Sequence, residues 1–295
     1  MIGFNSKCNY QFIETFGLKK GLKRFGKNGY DAAMKEMQQL HERMVFKPIN
    51  ISELTQQEKK RAMESLIFLV QKSDGRIKAR TCANGSTQRS YIDKEEATSP
   101  TALTEAIIIT AAIEADENRD VMTVDIPNAF VQTEMEDKEE RIIMKIKGPL
   151  AEMLVRIEPE VYESYVIQED NEKVVYVQVL KALYGMLQAS LLFYKKLRKD
   201  LEEIGFKINP YDPCVANRIV SGKRHTITWH VDDLKSSHED QKVNDEFHKW
   251  LEMKYGDKKL GRVRATRGKV HNYLGMTLDY TTPKKLKLSM KEYSI

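Results

Sequence analysis

Cysteine is scarce in this sequence, and the three that occur are far apart. Cys8, Cys82 and Cys214 form no CxxC pair and no Cys/His spacing of the kind that binds zinc. The six histidines add no zinc pattern either. This scarcity excludes a disulfide-stapled secreted scaffold and a zinc finger, and it predicts reduced cysteines in an intracellular protein.

Long hydrophobic runs are absent as well. Residues 1–30 contain no apolar stretch of the secretory type, and no run approaches the roughly 18 apolar residues of a membrane span. We therefore expect a soluble, non-secreted protein that does not enter a membrane.

The composition is that of an ordinary globular protein with a slight basic excess. Of the 295 residues, 31% are charged and 41% are hydrophobic, and the formal net charge is +5. This length suffices for one large domain or two smaller ones. The net charge permits a polyanionic partner without requiring one.

Hydrophobic periodicity predicts helices and strands in irregular alternation, which favours the α+β class. The basic, glycine-punctuated residues 1–30 are predicted to form a loosely held arm, followed by a helix over 31–44. A further helix is predicted with Ser99 as its N-cap and Pro100 at its first position. Because residues 102–113 are apolar on nearly every side, this helix is predicted to be buried.

Glycine marks three predicted turns. Ser73-Asp74-Gly75 and Ser221-Gly222 each separate two strand-like runs, which is typical of a β-hairpin. An amphipathic helix is predicted to follow the turn at Gly185 and to end at Gly205.

Asp232 and Asp233 lie side by side after a strand-like run, in the stretch TITWHVDDLKSSH. Asp125 comes from a second predicted strand, which stops at Asp125 or Ile126. Adjacent carboxylates repel each other, so burying them requires a cation. If the two strands are neighbours, all three carboxylates emerge at one edge, where Mg²⁺ could bind one or two of them. The alternative is that these aspartates are ordinary turn residues.

Other side chains would fit such a site. Phe130 follows shortly after Asp125, Gln188 precedes a basic helix, and Lys78 and Arg80 alternate on a hairpin strand. The segment at 258–269, KKLGRVRATRGK, is basic without any acid. Taken singly, each has an ordinary explanation as a core ring, a surface amide, solvated cations or a flexible loop.

Taken in order, these features resemble the reverse transcriptase region of Copia-type (Pseudoviridae-like) LTR retrotransposons. The resemblance extends from about Tyr30 to the C-terminus. The stretches that carry it, in family order, are RIKARTCANGSTQ, VDIPNAFVQTEM, LYGMLQAS, YDPCVANRI, HVDDLKSSH and NYLGMTL.

The resemblance implies a right-hand polymerase fold of the α+β class, with helices packed on one face of an antiparallel palm sheet. It implies that 31–120 are mostly fingers. It also implies that 121–280 form the palm, with a fingers insertion over about 135–185, and that 281–295 begin a truncated thumb.

The resemblance also implies a catalytic centre that binds metal. Asp125, Asp232 and Asp233 are implied to be catalytic and to hold two Mg²⁺ ions, with the backbone carbonyl of Ile126 as a further ligand. Mn²⁺ is expected to substitute for Mg²⁺. Two such ions about 4 Å apart serve an in-line phosphoryl displacement.

Substrate contacts are implied at other positions. The residues implied to bind the deoxynucleotide are Lys78, Arg80, Phe130 and Gln188. Among them, Phe130 is implied to be the steric gate that excludes a 2′-hydroxyl. The residues implied to contact primer and template are His230, Tyr273, Leu274, Gly275 and Met276.

The chain departs from the family pattern at four positions. His230 stands where the family usually has the tyrosine of Tyr-Val-Asp-Asp, and Asn84 stands where a lysine is common. Leu187 and Ser190 stand where the family tends to have lysine and proline. These departures concern substrate contacts and leave the carboxylates intact.

The implied function is an RNA- and DNA-directed DNA polymerase, with an RNA template, a DNA primer and deoxynucleoside triphosphates as partners. The family copies inside cytoplasmic particles, and the thumb and connection, RNase H and integrase parts of the polyprotein are expected elsewhere. Two other interpretations stay open. One is a degenerate, non-catalytic fragment that keeps the fold and binds nucleic acid. The other is a two-metal nuclease, which leaves Phe130 and Gln188 unexplained.

Overall fold

The computed structural model describes residues 14–72, 74–135, 141–257 and 261–290. The α-helices in these ranges are α1 (Leu18–Glu42), α2 (Gln56–Arg61), α3 (Lys94–Ala97), α4 (Thr104–Asp116), α5 (Pro149–Ile157), α6 (Pro159–Tyr162), α7 (Ala189–Glu203) and α8 (Gln241–Tyr255). Short 3₁₀-helices span Ile51–Glu53, Gly85–Ser90, Ala129–Gln132 and Glu163–Tyr165. None of the described helices is long and apolar enough to cross a membrane.

The strands are mostly short. They are β1 (Thr15–Gly17), β2 (Phe46–Pro48), β3 (Met63–Gln71), β4 (Ile77–Ala83), β5 (Asp120–Asp125), β6 (Ile143–Lys147), β7 (Ile167–Glu169), β8 (Glu172–Val179), β9 (Lys207–Ile208), β10 (Val215–Val220), β11 (Lys223–His230), β12 (Asp233–His238), β13 (Arg264–Thr266), β14 (Val270–Tyr273), β15 (Met276–Asp279) and β16 (Lys287–Ser289).

The described residues form two compact units. The first contains the chain up to Tyr91 together with Met135–Met186, and the second contains Ile92–Glu134 together with the chain from Leu187 onwards. Residues 92–120 therefore group with the second unit, whereas the sequence placed them with the fingers. The names fingers, palm and thumb stay predictions.

The first unit is built on a seven-stranded sheet. Its strands run in the order β1-β3-β6-β8-β2, with β4 paired to β3 and β7 paired to β8. The pairing of β3 with β6 is parallel and the others are antiparallel. One core cluster of this unit contains Ile49, Leu54, Ile143, Val174 and Tyr176.

Part of the predicted N-terminal arm is a helix. The helix α1 begins at Leu18 rather than at residue 31, with Gly26 as a non-helical residue inside it. The glycines that suggested a loose chain instead permit close packing, because a Cβ on the buried Gly21 would lie 2.5 Å from Leu69 Cδ1 on β3. The prediction of a loose arm was therefore wrong for residues 18–30, while residues 1–13 lie outside the described ranges.

Two family stretches meet at Gly185 in the first unit. A Cβ on Gly185, whose φ is +88°, would lie 2.1 Å from the carbonyl oxygen of Ala83. The Ala83 amide donates to the Tyr184 carbonyl at 2.7 Å. Only glycine fits this approach, so the LYGM turn and the end of β4 are held together by their backbones.

The second unit contains two antiparallel sheets. The larger has the order β13-β5-β12-β11-β10-β9, and the smaller has the order β14-β15-β16. The smaller sheet contributes Tyr273, Met276 and Leu278 to a core cluster shared with α4 and β5, and Tyr280, the residue after β15, joins the same cluster. Helices and mainly antiparallel strands in both units confirm the predicted α+β class.

The start of α4 was predicted wrongly. The Leu103 amide donates to Asp212 Oδ2 at 2.9 Å, and the helix begins only at the next residue, Thr104. The side chain of Ser99 bonds locally to the Pro100 carbonyl and caps nothing. The expected burial is incomplete too, because Ile109 is 58% exposed.

Other turn predictions are confirmed. Ser221 and Gly222 form a two-residue turn between β10 and β11, with φ of +51° and +77°. Gly205, with φ of +90°, follows the C-cap of α7. Asp74 and Gly75 lie between the paired strands β3 and β4, while Ser73 lies outside the described residues.

A buried ion pair joins the larger sheet of the second unit to α4. Lys235 Nζ on β12 lies 2.5 Å from Glu114 Oε1, and the two side chains are 0% and 2% exposed. The hydroxyl of Tyr280 donates to Glu114 Oε2 at 2.6 Å. Burial lowers the pKa of Lys235, and the neighbouring Glu114 opposes that shift.

Removing one partner of this pair should be costly. We expect Lys235→Met to lower the free energy of unfolding by about 3–5 kcal/mol, because it leaves the Glu114 carboxylate buried without its cation. The double variant Glu114→Leu with Lys235→Met should recover most of the loss. Urea unfolding measures both, and a single variant within about 0.5 kcal/mol of the parent would contradict this account.

Candidate active site

The pairing of β5 with β12 brings the predicted carboxylates together. The two strands are antiparallel, and Asp125 is the cross-strand partner of Asp233. Directly opposed residues in such a pair have Cα atoms about 4.5–5.5 Å apart. Asp125 and Asp233 are exposed and Asp232 is half-buried, so all three lie at the predicted sheet edge.

Asp232 belongs to a tight turn. His230 pairs with Asp233, so only Val231 and Asp232 connect β11 to β12. Val231 has φ of +57°, a left-handed conformation that a β-branched residue rarely adopts. Strain of this kind persists only where the surrounding structure imposes it, and it concentrates at functional sites.

The pKa of Asp233 is raised, in part by the negative charges that surround it. Desolvation by the surrounding chain raises its pKa, and the charges of Asp232 and Asp125 raise it further. His230 acts in the opposite direction. The proton is therefore bound more tightly at Asp233 in the folded chain than at an isolated aspartate.

These carboxylates have the chemistry of a hard-cation site. Carboxylate oxygens are the ligands that Mg²⁺ and Mn²⁺ prefer, and a cation would relieve the repulsion that raises the pKa of Asp233. Within the described ranges, however, no three His, Cys, Asp or Glu side chains are gathered closely enough to hold a metal ion. Ligation would therefore require the side chains of Asp125, Asp232 and Asp233 to converge.

His230 is half-buried at the end of β11. Its Nδ1 is buried and has no hydrogen-bond partner among the described residues. A buried ring nitrogen without a partner is uncommon. The predicted primer contact at this position stays a prediction.

Phe130 lies on the 3₁₀-helix Ala129–Gln132, which begins a few residues after the end of β5. It is 8% exposed, and its ring contacts Phe193 of α7 edge-to-face at 6.4 Å between centroids. Gln132 fixes this turn, because its side-chain amide donates to the carbonyls of Pro127 and Tyr255 at 3.2 and 3.0 Å. The ring is therefore held firmly near the strand end that carries Asp125.

Gln188 is buried and occupies the N-cap position of α7. Its backbone carbonyl accepts a hydrogen bond from the Leu192 amide at 2.9 Å. The structure thus gives Gln188 a role in starting the helix, and the predicted nucleotide contact stays a prediction.

The segment Tyr273-Leu274-Gly275-Met276 forms the turn between β14 and β15. Tyr273 and Met276 are 3% and 5% exposed, whereas Leu274 and Gly275 are half-buried at the tip. A contact with primer would therefore have to use the tip, because the side chains on either side are packed in the core.

Lys78 and Arg80 are exposed on β4 in the first unit. The Arg80 guanidinium lies over the Tyr184 ring, 4.5 Å from its centroid. Behind β4, burial raises the pKa of Glu36, while its hydrogen bond from the Thr81 amide and the charges of Lys78 and Arg80 lower it. The predicted phosphate contact of these cations stays a prediction.

The structure adds Arg264, a position that the sequence did not single out by itself. β13 pairs with the other side of β5 and places the exposed Arg264 opposite Asp125. The basic segment 258–269 contained this arginine, although residues 258–260 lie outside the described ranges. Asn84, which departs from the family pattern, accepts a hydrogen bond from the Ser86 amide at 3.3 Å and caps the following 3₁₀-helix.

A known protein family matches most of this chain. The model of the family "Reverse transcriptase (RNA-dependent DNA polymerase)" matches residues 54–294. The Retrovirus-related Pol polyprotein from transposon RE1 of Arabidopsis thaliana is 31% identical over 137 residues, which are 45% of this chain and 8% of that protein. The Transposon Ty1-BR Gag-Pol polyprotein of Saccharomyces cerevisiae is 23% identical over 233 residues, which are 79% of this chain and 12% of that protein.

A solved structure is also similar. The foamy viral protease-reverse transcriptase in complex with double-stranded DNA has a TM-score of 0.43 and 13% sequence identity, covering 85% of this chain and 33% of that one. The present chain thus spans only a small part of the polyproteins it matches.

The predicted resemblance to a Copia-type retrotransposon polyprotein is confirmed by these relatives. The family generally uses divalent metal ions, which agrees with carboxylates at one sheet edge. The chain belongs to the reverse transcriptase (RNA-dependent DNA polymerase) family, and its relatives are retrotransposon Pol polyproteins.

Proposed function

We propose that this chain is the polymerase part of a retrotransposon polyprotein, which extends a DNA primer on an RNA or DNA template. The observation that carries the proposal is the register that sets Asp125 opposite Asp233, in a chain that the family model matches over residues 54–294.

Asp125, Asp232 and Asp233, with the Ile126 carbonyl, would hold two Mg²⁺ ions, or Mn²⁺ in their place. When bound, such ions offset the charge that develops on the α-phosphate and on the leaving pyrophosphate. The protein residues position the reactants. The strained turn presents Asp232, and the sheet register fixes Asp125 beside Asp233.

The remaining side chains would select and orient the nucleotide. Phe130 would close the space below the sugar, where a 2′-hydroxyl would clash with the ring, and Gln188 would lie beside the base pair. Lys78 and Arg80 would reach the triphosphate. Arg264 would be a further phosphate contact; its exposed side chain belongs to the strand that pairs with β5 opposite Asp125.

The same proposal extends to partners. The primer end would lie between His230 and the tip at Leu274 and Gly275, and the template would bind largely through phosphate contacts that weaken as salt rises. The thumb and connection, RNase H and integrase parts would be supplied by the remainder of the polyprotein. Copying would take place in a cytoplasmic particle.

Primer extension by residues 1–295 tests the activity. We expect extension of a DNA primer on an RNA template with Mg²⁺ or Mn²⁺, and a loss on the order of 10²–10³ in rate for Asp232→Asn, the scale for losing one preorganised electrostatic group. Asp93→Asn is the matched control, because Asp93 is exposed and makes no side-chain cap hydrogen bond.

Full activity of Asp232→Asn would overturn the assignment of the site. An inactive parent chain that still binds template in a salt-dependent way would favour the degenerate fragment instead.

The proposed role of Phe130 as the steric gate is tested by comparing incorporation of ribonucleotides and deoxynucleotides. We expect Phe130→Val to raise the ratio of ribonucleotide to deoxynucleotide incorporation on the order of tenfold or more, since it opens space where the 2′-hydroxyl would lie. Phe206→Val removes the same volume from the core of the same unit and should leave the ratio unchanged. Equal ratios in both variants would remove Phe130 from this role.

Because the pKa of Asp233 is raised, the stability of the folded chain should depend on pH. Because the folded chain holds this proton more tightly than the unfolded chain, stability contributed by Asp233 falls as pH rises above the ordinary value of 3.8. Asp233→Asn should therefore stabilise the metal-free chain near neutral pH, and this gain should disappear below that value.

Thermal unfolding across pH, with and without Mg²⁺, measures this effect. The metal should stabilise the parent more than Asp233→Asn, because it binds the folded carboxylates. A gain that does not change with pH, or equal stabilisation by metal, would contradict the prediction.

A further inference from the structure

Tyr273 lies directly behind the turn that carries the carboxylates. The side chain is 3% exposed, and its hydroxyl lies 3.3 Å from the Thr228 carbonyl and 3.2 Å from the Asp233 carbonyl. The hydroxyl has a single proton, so the two acceptors share one donor. The contact thus links the backbones of β11 and β12.

Both acceptors flank the strained turn. Thr228 lies on β11 shortly before it, and Asp233 is the first residue of β12 after it. Between them, Val231 keeps its φ of +57°. A β-branched residue stays in this conformation only if the neighbouring strands are held in place, and the hydroxyl of Tyr273 supplies one such restraint.

The donor itself is rigidly placed. Tyr273 ends β14 and pairs with Met276 across a two-residue turn in which Leu274 and Gly275 have φ of +50° and +76°. The ring packs in the core cluster with α4 and β5. A tyrosine hydroxyl donates as well as accepts, so it can serve both backbone carbonyls as a donor.

We infer that Tyr273 is a positioning residue, which holds the backbone at Asp233 and thereby the placement of the Asp232 and Asp233 carboxylates for nucleotidyl transfer. This inference rests on the proposed function. It takes the place of the expected contact of this side chain with primer, because the side chain is only 3% exposed, and it leaves that contact to the half-buried tip.

Tyr280 provides a matched control in the same cluster. It is also a buried tyrosine of the second unit, and its hydroxyl also donates one hydrogen bond, but the acceptor is the Glu114 carboxylate rather than the turn. Tyr273→Phe and Tyr280→Phe each remove one hydroxyl and keep the ring. Only Tyr273→Phe removes a hydrogen bond to the backbone of the turn that carries Asp232 and Asp233.

The experiment compares these two variants with the parent chain in steady-state primer extension and in amide hydrogen exchange. We expect Tyr273→Phe to lower kcat roughly three- to tenfold, the scale of one neutral hydrogen bond, with the KM for primer–template unchanged. Amide exchange over 228–234 should quicken. Tyr280→Phe should change neither quantity below its melting temperature, although it should melt earlier than the parent.

The outcomes separate the inference from the proposed function. If the parent extends primers and the two variants behave alike in kcat and in exchange, the positioning role is overturned. A raised KM for primer with unchanged kcat would restore Tyr273 as a primer contact and likewise overturn it. If the parent chain does not extend primers, the proposed function fails, and unchanged exchange in Tyr273→Phe would overturn the backbone restraint independently.

Discussion

The register of β12 against β5 is the constraint on which the rest of the site depends. It sets Asp233 opposite Asp125 and Leu234 opposite Val124. A slip of one residue would turn every side chain of β12 to the other face, which would take the buried Lys235 away from Glu114. The site therefore exists only because the core of the second unit specifies this one pairing.

Several buried contacts hold that register. On one face, Lys235 of β12 reaches Glu114 of α4. Ser236 donates to the side chain of Asn244 at 2.6 Å, and Asn244 donates to the side chain of Asp120 at 2.7 Å, which ties α8 to both strands. A buried polar group that loses its partner costs free energy, so these pairs favour the observed register over a shifted one.

The features that suit the β11–β12 turn to bind a cation also destabilise the folded chain. The turn concentrates negative charge and a left-handed valine at one point, and both features destabilise the folded chain in isolation. The surrounding sheet offsets them, and a bound cation would relieve the charge. Sites that bind substrate commonly combine local strain with a rigid support in this way.

Much of the site could be predicted from the sequence, because its signals are local. Adjacent aspartates after a β-branched run indicated Asp232 and Asp233, and the β-branched run before Pro127 indicated that a strand ends at Asp125 or Ile126; it ends at Asp125. Ser221-Gly222 indicated a hairpin through its turn chemistry alone. The α+β class followed from alternating periodicities.

The remainder depended on contacts between distant residues. Gly21 looked like a chain breaker, yet it lies against Leu69 on β3. The start of α4 is set by Asp212, over a hundred positions away, as the bond to Leu103 shows. Tyr273 looked like part of a binding segment, and only the fold shows that its hydroxyl faces the carbonyls of Thr228 and Asp233. Tertiary contacts of this kind leave no local pattern to detect.

The central claim is that Asp125 and the adjacent pair at 232–233 act as one cation site. Electron paramagnetic resonance of Mn²⁺ bound to residues 1–295, with primer–template and a non-reactive deoxynucleotide present, tests it without relying on turnover. The account predicts that Asp125→Asn and Asp232→Asn each weaken the binding of the same Mn²⁺ ions, whereas Asp93→Asn does not. Binding of Mn²⁺ that is unchanged in Asp125→Asn would contradict it.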